Sequence, residues 1–494
     1  MRCSPVSISA AALVAGLASR VQAHPASVRN AALDPTAYAA RWKNGLPADT
    51  GFFPIAVWLQ SPSNAAKYKQ AGVNLYIGLW EGPTQAQLAA LTAAGMRVVC
   101  DQNAVGLQNR DSKTIVGWMH GDEPDNAQAR ADGNGYDPCI DPTQIISGYA
   151  AMRAADSTRP VLLNLGRGVA VTDWIGRGTC TGKTDMYARY AQGADFLSFD
   201  VYPVNSSEAK VRGNLWYVPL GVDSLARWSG GTKPVMAWIE ATRIAETPAD
   251  KPTPAQTRSE VWMALIHGAM GIGYFCHSFY PSTVEAAFLE DKDMLAGITA
   301  VNRQIQSLAP VLNSPTLGPA SSVTAASVVS SVAAVPIDVM VKYHGGFTYV
   351  FAAAMRPGAT TGTFRVPNAA TVEVEGEGRA LPASGGTFSD AFSDYGVHVY
   401  KVSASGSGVI PRRIAGAGGG ADNAGRSFVL AGPEASPDPG LIRAPGGGPS
   451  GVSRRSGMDG SGSWLLDAQG RFRGAWDSAE PDAHGRRRRQ AVGK

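Results

Sequence analysis

The sequence predicts an α/β protein: a (β/α)8 barrel followed by a small antiparallel β-sandwich and a disordered C-terminal tail. Between residues 52 and 309, short apolar runs alternate with longer helical patterns, and eight such units fit the size of a barrel. A doubly wound sheet would need a glycine-rich phosphate turn after an early strand, and none occurs there. From about residue 320 to 403 the pattern changes to alternating strand-like pieces separated by Gly, Pro and Asn turns.

The predicted barrel strands are short apolar runs with many β-branched and aromatic residues. They lie at 52–59, 73–80, 96–100, 115–120, 160–165, 195–202, 234–240 and 272–277. Three connecting helices have clear start signals, in which a capping side chain precedes a proline at the first helical position. These signals are Ser61-Pro62, Asp141-Pro142 and Thr253-Pro254.

The two ends of the chain differ from its body. Residues 1–23 have a basic start, an apolar stretch and small residues before His24, which predicts a secretory signal peptide. We expect the barrel over 24–310 and the sandwich over 311–403. Residues 404–494 are rich in glycine and contain four consecutive arginines, so we expect a disordered tail there, because so little apolar surface could be buried.

Charge and hydropathy limit the partners. The chain has 44 Lys+Arg and 40 Asp+Glu, and the positive excess lies at its two ends, so a nucleic-acid surface on the folded part is not expected. After the signal peptide no apolar run approaches the roughly 18 residues of a membrane span. We therefore expect a secreted or periplasmic protein, and we expect it to be a monomer.

The cysteines predict one disulfide rather than a metal site. Cys139 and Cys180 lie in glycine-rich loops and could pair in an oxidising compartment, whereas Cys100 and Cys276 end apolar runs and are expected to be buried thiols. The chain has no CxxC motif and no paired Cys/His spacing, so no zinc site and no cofactor is expected.

Two predicted strands end in carboxylates. Strand 4 runs into WMHGDEPDN, which contains Glu123, and strand 7 runs into KPVMAWIEATR, which contains Glu240. In a (β/α)8 enzyme the reacting groups sit at the carboxyl ends of the strands, so these two glutamates are expected to face each other across the barrel mouth. Such a pair suits glycoside hydrolysis, in which one acid protonates the leaving oxygen and the other attacks or activates water.

GDEP after strand 4 and WIE at the end of strand 7, followed by a small sandwich, resemble the clan A glycoside hydrolases over about residues 50–403. The resemblance implies a retaining enzyme that degrades an oligo- or polysaccharide, with Glu123 as acid/base and Glu240 as nucleophile. The clan usually has Asn immediately before the acid/base, where its amide donates to a sugar hydroxyl. This chain has Asp122, which offers only acceptors when ionised.

Four further residues are expected to contact the sugar. Tyr202 resembles the tyrosine that hydrogen-bonds the nucleophile in many clan members, although a rim aromatic is the alternative. His277 ends strand 8 and could contact a hydroxyl or simply pack. Trp80 and Trp238 offer flat faces on which pyranose rings stack, but aromatic residues at strand ends are also ordinary barrel filler.

Two other classes of function stay open. The barrel could bind a carbohydrate without cleaving it, and Asp122 in place of the usual Asn is the reason to consider this. A metal-dependent hydrolase could use ligands from several strands, although no histidine occurs between His24 and His120. The candidate ligands for that reading are His120, Asp122, Asp200 and His277.

Overall fold

The protein is described by a computed structural model that covers most of residues 33–404. The described residues are 33–130, 132, 134–245, 251–317 and 326–404, with three short strands at Gly457–Met458, Gly462–Leu466 and Phe472–Gly474. The predicted signal peptide and most of the predicted tail lie outside the described residues.

Eight parallel strands close into a barrel, so the predicted fold is confirmed. The strands are β1 (Ile55–Trp58), β2 (Leu75–Ile77), β3 (Arg97–Asp101), β4 (Ile115–Met119), β5 (Val161–Leu165), β6 (Phe196–Asp200), β7 (Val235–Glu240) and β8 (Gly271–Phe275). Each strand pairs with the next in sequence, and β8 pairs with β1 to close the barrel. The parallel register brings the carboxyl ends of all eight strands to one mouth.

Helices follow most of the strands on the outside of the barrel. They are α1 (Pro35–Ala39), α2 (Ala65–Gln70), α3 (Gln85–Ala94), α4 (Ala104–Gln108), α5 (Pro142–Ala155), α6 (Met186–Tyr190), α7 (Tyr217–Trp228), α8 (Pro254–Ile266), α9 (Ala287–Glu290), α10 (Lys292–Ser307) and α11 (Ala309–Leu312). The capping signals act as predicted: the Asp141 carboxylate accepts the Thr143 N–H at 2.7 Å, and Thr253 forms a capping box with Gln256. In the described part of the chain, no helix combines the length and apolarity that crossing a bilayer requires.

The alternation of side chains along the strands separates two cores. Residues facing outward pack under the helices in the larger core, such as Val161, Leu163 and Leu197. Residues facing inward fill the barrel, such as Leu162, Phe196 and Met236. Because successive side chains point to opposite faces, the residues two and four positions after Leu162, Phe196 and Met236 also face inward, and they lie closer to the mouth.

Two antiparallel sheets follow the barrel, as predicted. Their strands are β9 (Ser327–Ser330), β10 (Ile337–His344), β11 (Phe347–Ala354), β12 (Thr360–Arg365), β13 (Ala369–Val374), β14 (Arg379–Pro382), β15 (Thr387–Phe392) and β16 (Val397–Ala404). The smaller sheet has the order β9-β12-β15 and the larger one β10-β11-β16-β13-β14. Helix α8 packs against the larger sheet: Trp262 stacks on Phe351, and the Ser259 hydroxyl donates to the Tyr395 carbonyl at 2.8 Å.

A disulfide joins Cys139 and Cys180, as the sequence suggested, and Cys100 and Cys276 are buried thiols. The bond links the loop after β4 to the loop after β5, with the two Cα atoms 6.1 Å apart. It therefore fixes one side of the barrel mouth.

Candidate active site at the barrel mouth

Backbone strain is concentrated where strands end at the mouth. Leu59, Glu81 and Glu123 follow β1, β2 and β4 and have φ angles of 47°, 49° and 42°. Side chains other than glycine rarely adopt this conformation, and it persists only where the surrounding structure enforces it, which is often at functional sites. Glu81 is exposed and Glu123 is buried, so Glu123 is the buried carboxylate among these strained positions.

Glu123 is enclosed and short of donors. Its side chain is 4% exposed, and no group donates a hydrogen bond to its Oε2 atom. The peptide holds it in place, because the Glu123 N–H donates to the Asn164 carbonyl at 3.1 Å. Burial, followed by the charges of Asp200, Asp122 and Asp125, raises the pKa of Glu123 well above its ordinary value. These surroundings favour the protonated form of Glu123.

A single amide organises the carboxylates around Glu123. Trp238 and Ser198 both donate to the Oδ1 of Asn164, at 3.1 and 2.7 Å. An indole N–H can only donate, so this oxygen is fixed as the acceptor and the amide nitrogen must face the other way. That nitrogen donates to Asp122 at 2.9 Å and to Asp200 at 3.3 Å. Both aspartates are half-buried.

Asp125 has a structural role. It is completely buried and accepts hydrogen bonds from the Gly166 N–H at 2.8 Å and the Tyr187 hydroxyl at 2.9 Å. These contacts tie the segment after β4 to the loop after β5. Burial raises the pKa of Asp125, while the hydrogen bond from Gly166 and the charge of Arg177 oppose that rise.

Glu240 is also completely buried, but it is surrounded by donors. Its Oε1 accepts the Val204 N–H at 2.6 Å, and its Oε2 accepts the Asn205 N–H at 2.9 Å and the Asn205 side-chain amide at 2.6 Å. Asn205 also donates to the Thr242 carbonyl at 3.0 Å and accepts the Ile244 N–H at 2.9 Å. Glu240 therefore anchors the loop that follows β6.

A second carboxyl group lies behind Glu240. Glu260, on α8, is completely buried, and neither of its oxygens has a hydrogen-bond donor. Burial and then the Glu240 charge raise the pKa of Glu260 well above its ordinary value. The pKa of Glu240 is also raised, because burial outweighs the hydrogen bonds from Val204 and Asn205. Glu260 is the neutral member of this pair.

The expected site residues fall into two hydrogen-bonded groups. Asp122, Glu123 and Trp238 meet around Asn164, whereas Glu240 is held by the loop after β6 and by Glu260. Two of the hydrogen-bond partners, Asn164 and Asn205, are absent from the sequence-based site. Asn164 could have been found, because it is the polar residue on the inward face at the end of the fifth predicted strand.

The remaining expected residues differ in accessibility. Trp238 is 1% exposed and lies edge-on to Trp58, with ring centroids 4.8 Å apart, so it fills the barrel rather than offering a face to a sugar. Tyr202 is buried against Phe275, and their ring centroids are 5.4 Å apart. Trp80 is half-buried at the rim.

His277 sits in a polar cluster within the barrel. The Gln60 amide nitrogen lies 3.3 and 3.4 Å from its two ring nitrogens. Burial lowers the pKa of His277 to about 4, so the ring is neutral near pH 7. Gln60 is fixed in turn by the Tyr68 hydroxyl, which donates to its side-chain carbonyl. Across the described residues, no group of three or more His, Cys, Asp or Glu side chains is arranged to hold a metal ion.

Comparison with known proteins gives matches by structure only. No protein-family model matches the sequence. No curated protein matches it either. The similar solved structures include an α-amylase from Geobacillus thermoleovorans complexed with acarbose, at 9% identity and a TM-score of 0.39, over 74% of this chain and 99% of that one.

Two other similar structures are xylanases. One is a glycoside hydrolase family 30 endoxylanase from Clostridium papyrosolvens, at 10% identity and a TM-score of 0.40, over 71% of this chain and 96% of that one. The other is a family 30 subfamily 8 xylanase from Clostridium acetobutylicum, at 13% identity and a TM-score of 0.36, with the same coverage. The expected likeness to glycoside hydrolases is thus found, with no particular family specified. At these scores it carries no information on substrate or mechanism.

Proposed function

We propose that the protein is a glycoside hydrolase and that Glu123 is its general acid. The observation that carries this proposal is a buried carboxyl group at the barrel mouth, with one oxygen lacking a donor and with two aspartates nearby. Such surroundings favour a proton on the carboxyl group, as protonation of a glycosidic oxygen requires. The half-buried Asp122 and Asp200 can accept hydrogen bonds from sugar hydroxyls, and Trp80 offers a ring at the rim.

The resemblance noted in the sequence adds a retaining mechanism on an oligo- or polysaccharide to this proposal. Glu123 gives its proton to the departing oxygen while Glu240 forms a bond to the anomeric carbon; water then replaces Glu240 and returns a proton to Glu123. Three donors support an ionised Glu240. Because Glu240 is enclosed, the loop with Val204 and Asn205 must move before a sugar can reach it.

Product analysis on a panel of plant, fungal and bacterial polysaccharides tests the activity. We expect new reducing ends with the wild type and none with Glu123→Gln, and NMR of the first product should show the anomer of the substrate. Binding without new reducing ends would instead favour the alternative function, a barrel that binds carbohydrate without cleaving it. The enclosure of Glu240 is the observation that favours this alternative.

Covalent trapping tests the nucleophile. A 2-deoxy-2-fluoro glycosyl fluoride of the sugar found on the panel should leave a stable glycosyl-enzyme, because the fluorine slows its hydrolysis. The three candidate carboxylates lie in different tryptic peptides: Asp122 in 114–130, Asp200 in 190–210 and Glu240 in 228–243. Label in 228–243 would support Glu240, and label in either other peptide would reassign the nucleophile.

Secretion is part of the same proposal and has its own test. Residues 1–23 have the pattern of a signal peptide. We expect the exported protein to begin at His24 when its N-terminus is sequenced. An unprocessed N-terminus on protein that stays inside the cell would contradict this.

A further inference from the structure

The buried end of Glu123 contacts another carboxyl group. Its Oε2 has no donor, and Asp200 at the end of β6 lies beside its carboxyl group as a hydrogen-bond partner. Both residues also bind Asn164: the Glu123 N–H donates to the Asn164 carbonyl at 3.1 Å, and the Asn164 side-chain amide donates to Asp200 at 3.3 Å. Two carboxyl groups in contact cannot both be ionised without strong repulsion, so they share one proton. The surroundings of each group decide which of the two carries it.

The proton belongs to Glu123. Asp200 is half-buried, and its Oδ2 accepts a hydrogen bond from the Asn164 amide at 3.3 Å, so solvent and a donor both stabilise its charge. Glu123 is 4% exposed and lacks a donor at Oε2. A charge on Glu123 would therefore be poorly solvated, and the favourable state is a protonated Glu123 that donates to an ionised Asp200.

We infer that Asp200 is a positioning residue that accepts the proton of Glu123 in a hydrogen bond and holds it at the mouth until a glycosidic oxygen takes its place. This inference rests on the proposed function and extends it, since Asp200 adds a third carboxyl group to the two expected glutamates. It also gives Asn164 a role: one amide fixes both Asp200 and Asp122, so the charges beside the acid keep their positions.

Other charged groups near Glu123 limit how far the removal of Asp200 can lower the pKa of Glu123. Asp122 and Asp125 lie on its own segment, and both raise its pKa. The Tyr187 hydroxyl donates to the Asp125 carboxylate at 2.9 Å, and the Arg177 Nε donates to the Asp125 backbone carbonyl at 3.1 Å. Removal of Asp200 therefore leaves two negative groups in place, and we expect a lowered Glu123 pKa rather than an ordinary one.

Infrared titration tests this inference without a substrate. The C=O stretch of a protonated carboxyl group that is lost in Glu123→Gln identifies the Glu123 band, which is then followed against pH. In Asp200→Asn we expect its midpoint to move down by about one pH unit or more, because a neighbouring like charge is gone. Asp173→Asn removes an equal charge from an exposed loop and should leave the midpoint unchanged.

Two further variants keep the test decisive. Asp200→Glu retains the charge and should restore most of the wild-type midpoint, and Asp200→Ser replaces Asp200→Asn if the latter does not fold. An unchanged Glu123 midpoint in the folded charge-removing variant would overturn the inference. If no polysaccharide is cleaved but the midpoint still moves, the proposed function fails and the contact between Asp200 and Glu123 stands. If hydrolysis occurs, the alkaline limb of kcat/KM should move to lower pH with the infrared midpoint.

Discussion

Glu123 and Glu240 are both buried glutamates at the ends of barrel strands, yet their surroundings are opposite. Glu123 has an oxygen without a donor and faces three aspartates, whereas both oxygens of Glu240 accept hydrogen bonds from Val204 and Asn205. Burial raises the pKa of each. The difference shows that donors and neighbouring charges, rather than position on a strand, decide which carboxyl group is suited to give up a proton.

The contrast extends to how each group affects stability. At Glu123 no donor reaches one carboxyl oxygen and the nearby charged groups are aspartates, so an ionised Glu123 would destabilise the fold, which is typical of a functional site. At Glu240 the donors belong to a loop, so the carboxylate stabilises that loop. The following predictions separate these roles, in order of expected effect.

Glu123→Gln should give the largest loss of activity. An amide cannot supply the proton, so we expect kcat/KM for an unactivated polysaccharide to fall by about 10²–10⁴-fold, the usual contribution of general acid catalysis. The free energy of unfolding should change little, because the amide has the shape of the carboxyl group and can also donate a hydrogen bond to Asp200. Activity near the wild-type level would exclude Glu123 as the acid.

Asn205→Ala should give the largest loss of stability. It removes a donor to Glu240 and to the Thr242 carbonyl, and an acceptor for the Ile244 N–H. We expect urea unfolding to show a loss of about 2 kcal/mol, since buried polar groups are left unpaired. Asn214→Ala, which removes a solvent-exposed bond to the Lys210 carbonyl, is the matched control and should change stability little. Equal losses in both variants would mean that the hydrogen bonds of Asn205 with Glu240 and its neighbours add nothing to the free energy of unfolding.

Glu260→Gln should change how stability depends on pH. The folded pKa of Glu260 lies above its unfolded value, so its contribution is most favourable at low pH and is lost as pH rises towards the folded pKa. Urea unfolding between pH 5 and pH 9 should therefore show a flatter profile for the variant than for the wild type. Exposed Glu290→Gln is the control. Parallel profiles for wild type and Glu260→Gln would show that Glu260 does not titrate differently in the folded protein.

Substitution of His267, which lies at the contact between barrel and sandwich, should have a smaller effect on stability. Burial alone would lower its pKa, but hydrogen bonds with Asp223 at 2.9 Å and Asp338 at 3.0 Å outweigh burial and raise it to about 9. This stabilisation is complete below the unfolded pKa of about 6.5 and is lost as pH rises through about 9.

His267→Gln should therefore lower Tm at pH 6 and have less effect at pH 10, while exposed His344→Gln changes Tm little at either pH. An equal loss at both pH values would mean that His267 packs without carrying charge.

The sequence was sufficient for the architecture and for the disulfide. The alternation of apolar runs with helical patterns places all eight strands, because a strand buried on both faces must be apolar throughout. The pattern points to Glu123 because it lies shortly after such a run and reactive groups lie at strand ends, and its catalytic role stays a prediction. The disulfide is predictable because Cys139 and Cys180 lie in loops of a chain with a signal-peptide pattern.

The surroundings of Glu240 depend on contacts that no sequence pattern encodes. Glu240 has the same sequence setting as Glu123, and only the path of the loop after β6 brings the N–H groups of Val204 and Asn205 to it. Glu260 occupies a helix position that reads as an ordinary charged surface residue. Its proximity to Glu240 follows from how α8 packs on β7, which sequence periodicity does not specify.

The most direct test of the central claim, that Glu123 is the acid, is the dependence of kcat/KM on the leaving group. Aryl glycosides of the sugar found on the panel, with leaving groups of graded acidity, would be compared between the wild type and Glu123→Gln. The account predicts that the variant is severely impaired on poor leaving groups and approaches the wild type on the best ones, which need no proton. An equal loss across the whole series would contradict it.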